Sequence, residues 1–95
     1  MPIASFADVE TERVFHRLRS RRLPPDIQRT ALRKLRQLDR VAEPAQLRVP
    51  PGNRFEELKG DRKETYSLRI NDQWRITFRW RDGGAYDVRI EDYHR

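Results

Sequence analysis

The chain has 95 residues, 36% apolar and 38% charged, so the expectation is one small domain over residues 1–95 with a thin core. Twenty-one Lys and Arg, mostly Arg, against fifteen Asp and Glu leave a net charge of +6, which points to a polyanionic partner. The lack of cysteine excludes a disulfide framework and a Cys-based zinc site, and no apolar run approaches membrane length.

The first ten residues, MPIASFADVE, lack the charged-then-apolar pattern of a signal peptide, and the expectation is a soluble cytoplasmic protein with no membrane contact. Ile3 to Phe6 reads as a short first strand. Asp8 follows as a helix N-cap, with Glu10 and Glu12 suited to the positive end of the helix dipole. This first helix is expected to run to about Leu18, facing the core with Val14, Phe15 and Leu18. Pro24 and Pro25 cannot continue a helix but suit the first turn of a new one. A second amphipathic helix then runs to about Val41, with Ile27, Ala31, Leu35 and Leu38 on its apolar stripe and arginines on its other faces. Glu43 to Arg54, with three prolines and a glycine, reads as an ordered loop.

The hydrophobic period then changes from 3.6 to 2. Tyr66, Leu68 and Ile70 alternate with Ser67, Arg69 and Asn71, and after a short turn Trp74, Ile76, Phe78 and Trp80 alternate with Arg75, Thr77, Arg79 and Arg81. Asp82-Gly83 is a strong hairpin signal, and it leads into Tyr86, Val88 and Ile90 alternating with Asp87, Arg89 and Glu91. A shorter strand at about Phe55 to Lys59, closed by a Gly60-Asp61 turn, joins this meander. The predicted fold is α+β, with two N-terminal helices packed on one face of a twisted antiparallel sheet of four to five strands.

If the aromatic rows face the helices, the other face displays Arg69, Arg75, Arg79 and Arg89 from three adjacent strands. Such a face suits the phosphates of a single-stranded nucleic acid; alternatively, cross-strand pairs with Asp87 and Glu91 merely solvate the sheet. The last strand runs into Asp92-Tyr93-His94. Cutting RNA without a metal needs a base for the 2′-hydroxyl, cations for the phosphate and an acid for the departing 5′-oxygen. His94 can act as acid, Tyr93 can stack on a base or orient a phosphate, and Glu56 is a candidate base. The competing reading makes Glu56 a surface carboxylate paired with Lys59 or Arg54. His16 receives no role, two histidines without cysteine argue against a transition-metal centre, and no cofactor is expected.

The run VPPGNRFEELKGDRKETYSLRINDQWRITFRWRDGGAYDVRIEDYH resembles the HigB branch of the RelE toxin superfamily, most specifically in LKGDR, YSLRINDQWRI and the closing DYH. SRRLPPDIQRTALRKLRQLD resembles the family's second helix, so the likeness spans nearly the whole chain. It implies a RelE-like fold and a ribosome-dependent endoribonuclease that cuts mRNA in the A site. The implied partner is a HigA-like helix-turn-helix antitoxin, through which alone operator DNA is contacted. The implied site comprises Asp92, Tyr93 and His94, with Arg75 on the scissile phosphate and Arg69 as a supporting contact. Lys59 adds an electrostatic contact, and Glu56 stands where some relatives use glutamate and others histidine as base. Rival readings are a non-catalytic RNA-binding module and a degenerate toxin kept for antitoxin binding and operon autoregulation.

Overall fold

The computed structural model describes residues 2–62 and 64–93. Two helices, α1 (Val9–Phe15) and α2 (Pro25–Leu38), precede four strands, β1 (Glu56–Glu57), β2 (Thr65–Arg69), β3 (Trp74–Arg81) and β4 (Gly84–Asp92). The strands pair antiparallel in chain order. This is the α+β architecture expected, with four strands in the sheet.

The helices begin as the sequence dictates. Asp8 accepts a hydrogen bond from the Thr11 amide at 2.7 Å, capping α1, and Pro25 opens α2 at its first position. Helix α1 ends earlier than expected, at Phe15 rather than near Leu18. The Arg17 amide donates to the Val14 carbonyl and the Leu18 amide to the Arg13 carbonyl, with Arg17 left-handed at φ 63°. That pair of bonds is a Schellman stop, here built on arginine where glycine is usual. Leu18 consequently lies outside the core, 51% exposed.

One apolar cluster joins the two layers. Leu35, Leu38 and Ala31 of α2 and Val14 of α1 pack on Leu68, Ile76, Phe78, Val88 and Ile90 of the sheet. Each such large side chain contributes about 1.5–3 kcal/mol by leaving water. Thr11 fastens α1 to the sheet, its buried hydroxyl oxygen accepting from the Ile90 amide at 2.8 Å. Asn53 holds the proline-rich loop on α2 by donating to the Gln37 side chain and the Leu47 carbonyl, both at 3.1 Å. Within that loop, short 3-10 turns cover Pro44–Arg48 and Pro51–Asn53.

Three strand expectations are corrected. Residues 3–6 form no continuous strand: Ile3 and Phe6 make two separate parallel bridges to Ala85 and Val88 of β4. Between those bridges β4 bulges, two of its residues facing Phe78, with Asp87 at φ 54°. The bulge also moves Tyr86 to the opposite face from Val88 and Ile90. Tyr86 pairs with Arg79 and lies under the Arg81 guanidinium at 5.8 Å, while Ala85 takes the buried place opposite Trp80. The first sheet strand shrinks to Glu56–Glu57, and Gly60–Arg62 forms a 3-10 turn where a simple turn was expected. The Asp82-Gly83 hairpin is as read, with both residues at positive φ as a type I′ turn requires.

Candidate active site on the open face of the sheet

The register builds the face away from the helices in rows. Glu56, Ser67, Thr77 and Arg89 lie across all four strands in one row, and Arg69, Arg75 and Glu91 form the next. Both rows follow from pairing the period-2 pattern, since one face takes every second residue.

Arg75 occupies the middle of the arginine row and is half-buried. Among the described residues its Nε and Nη1 are buried without a hydrogen-bond partner, while its guanidinium lies 5.1 Å from the Tyr93 ring centre. Buried N–H groups left unpaired are uncommon in folded proteins, and each calls for a physical reason. The buried Ser67 hydroxyl in the adjacent row is also unpaired among the described residues. Arg69 is tied to Asp72 at 2.6 Å, and its hydrogen bond and charge hold the Asp72 carboxyl below its ordinary range. Behind this pair Lys34 donates from α2 to the Arg69 carbonyl. Burial, and then the like charges of Arg33, Arg69 and Arg75, lower the Lys34 pKa.

Glu91 gathers the charges beside Arg75. It takes two hydrogen bonds from Arg62, at 3.1 and 2.9 Å, and one from the Thr77 hydroxyl at 2.5 Å; Arg89 lies 3.9 Å away. Burial alone would raise its pKa, but the bonds from Arg62 and Thr77 and the charges of Arg62 and Arg89 bring it below the usual glutamate range. Arg62, Arg79 and Arg89 line a cleft of about 270 Å³ with Thr65, Thr77 and the carboxylate of Asp87. Arg79 stands 4.0 Å from Asp87. The sheet face therefore holds both things the sequence allowed, an arginine array and carboxylates balancing part of it.

The structure brings some expected residues together and separates others. Arg69, Arg75, Arg79, Arg89 and Tyr93 share the open face. Glu56 is exposed on the same face, two strands from β3 and level with Thr77, and so about 12 Å from Arg75. Lys59 is exposed beyond β1. Asp92 pairs with Trp74, on the helix-side register, and accepts from Gln73 at 3.0 Å. His94 lies outside the described residues. Sequence reasoning passed over Arg62 and Lys34 and treated Glu91 as charge balance only. The one signal for Arg62 was its place in the LKGDR motif.

A family profile, described as the RelE-like toxin of the type II toxin-antitoxin system HigB, matches residues 4–94. The chain thus belongs to the HigB-like toxins, a family whose members work as the toxic half of an antitoxin-paired system. Among its relatives, Toxin HigB-1 of Vibrio cholerae serotype O1 is 41% identical over 75 residues, 79% of each chain. Endoribonuclease HigB of Proteus vulgaris is 49% identical over 37 residues, 39% of this chain and 40% of that one. The fold is shared with a point mutant of YafQ from E. coli, at a TM-score of 0.56 and 13% identity, over 96% of this chain and 93% of the other.

Proposed function

We propose that this toxin is an endoribonuclease that cleaves mRNA in the ribosomal A site by acid–base catalysis, and that a HigA-like helix-turn-helix antitoxin restrains it. The observation that carries the reading is Arg75, whose guanidinium stands in the arginine row of the open face beside the Tyr93 ring, with Nε and Nη1 unpaired among the described residues. A relative named as an endoribonuclease supports the same activity.

In this mechanism Glu56 takes the 2′-hydroxyl proton as the 2′-oxygen attacks the adjacent phosphorus. The bond from phosphorus to the 5′-oxygen breaks, leaving a 2′,3′-cyclic phosphate, and His94 gives its proton to the departing oxygen. Arg75 stabilises the charge that grows on the non-bridging oxygens, with Arg69 in support. Tyr93 stacks on or orients the nucleotide, Asp92 supports the terminal segment, and Lys59, Arg79 and Arg89 draw in the flanking backbone. The roughly 12 Å between the Glu56 and Arg75 backbones leaves the ribosome to present the 2′-hydroxyl to the base.

The test is to induce the chain in a bacterium and map mRNA 5′ ends on translating ribosomes. Wild-type protein should generate new ends within codons, and Arg75→Ala and His94→Ala should each abolish them. Accumulation of wild-type protein with unaltered growth and transcripts would sink the nuclease reading.

A further inference from the structure

We infer that Arg62 is a further RNA-phosphate contact of this site and that Glu91 is the positioning residue that sets it there, an inference that rests on the RNA-cleaving function proposed above. Arg62 ends the 3-10 turn between β1 and β2, yet its guanidinium bonds to Glu91 on β4, at the other side of the sheet. The Arg62 side chain thus reaches across the open face, where Ser67 and Thr77 are 0% and 1% exposed.

A carboxylate in the middle of a surface that binds a polyanion opposes binding unless it is committed elsewhere. Glu91 is committed. Arg62 holds both of its oxygens, and Thr77 fixes Oε2 from below. The bidentate bond uses two of the five N–H groups of Arg62 and leaves three for another acceptor. Arg62 also lines the cleft with Arg89, so one phosphate seated there meets guanidinium groups from a loop and from the sheet. Glu91 itself is taken up by hydrogen bonds from Arg62 and Thr77, which leaves it badly placed to serve as the base. Its contribution is to hold like-charged arginines close together and one of them in a fixed direction.

The experiment titrates a fluorescent single-stranded 2′-O-methyl oligoribonucleotide, which cannot be cleaved through a 2′-hydroxyl, over a series of salt concentrations, and in parallel measures mRNA cleavage on ribosomes. Arg62→Ala should reduce the slope of log affinity against log salt by about 0.7, the loss of one single-strand phosphate contact. Glu91→Gln should weaken binding about threefold to tenfold and raise KM with kcat changed less than about twofold, although it removes a negative charge. The double variant should bind no more weakly than Arg62→Ala alone, because Glu91 acts through Arg62. Tighter binding by Glu91→Gln, or an unchanged salt slope in Arg62→Ala, overturns the inference while leaving cleavage by the wild type intact. Arg62 is an exposed side chain, so its variant reports even if Glu91→Gln folds poorly. A wild type that neither binds the oligoribonucleotide nor cuts mRNA refutes the underlying function instead.

Discussion

Replacing Arg75 with methionine should make the protein more stable and enzymatically dead. The arginine stands on the open face and buries Nε and Nη1 with no partner among the described residues. An unsatisfied buried donor costs about 1–3 kcal/mol, and the like charges of Lys34 and Arg69 nearby add to that cost. Against it stands the contact with the Tyr93 ring, worth about 0.5–2 kcal/mol. Methionine fills a similar length without polar atoms, so the net gain should be about 1–2 kcal/mol. For a domain of this size each kcal/mol moves Tm by about 4–8 °C, and calorimetry resolves such a change easily. The expected result is a Tm several degrees higher together with loss of mRNA cleavage. A Tm below wild type would show that the guanidinium is structural, and the inference from its unpaired donors would fail.

Three further outcomes follow from the same geometry. Arg17→Gly should stabilise the fold by about 1 kcal/mol in urea titration, because glycine adopts the left-handed stop of α1 without the Cβ clash. Leu35→Ala, at a position with 0% exposure where α2 meets the sheet, should cost about 2–5 kcal/mol in the same assay. Lys34 has a folded pKa below its unfolded value of 10.5, so between the two the unfolded chain binds more protons and stability rises with pH. Lys34→Met should flatten that rise when unfolding midpoints are compared between neutral pH and pH 10.5.

What the sequence disclosed was what short-range periodicity controls. Tyr66 to Ile70 and Trp74 to Trp80 alternate without interruption, and those rows fixed the sheet, its buried face and the arginines on the other. Asp82-Gly83 announced the hairpin for the same local reason. The bulge at Asp87 was hidden because the alternation of Tyr86, Val88 and Ile90 reads as regular, and only the pairing with β3 shows that Tyr86 has changed sides. The end of α1 was hidden because its left-handed residue is arginine, for which no glycine signal exists. At the site, Arg75 was legible from the strand alternation and Tyr93 as a residue that directly follows the last strand. The Arg62–Glu91 pair was not, because residues 29 apart meet only once a loop is folded over the sheet.

The central claim is that the open face drives attack by a 2′-hydroxyl on the neighbouring phosphate. It is tested most directly by the termini of the RNA fragments that the purified toxin produces on programmed ribosomes. Transfer through the 2′-oxygen leaves a 2′,3′-cyclic phosphate on the upstream fragment and a free 5′-hydroxyl on the downstream one, and the fragments should disappear with Arg75→Ala. Fragments that carry a 5′-phosphate and a 3′-hydroxyl would mean that water, not the 2′-oxygen, attacks, and would contradict the account.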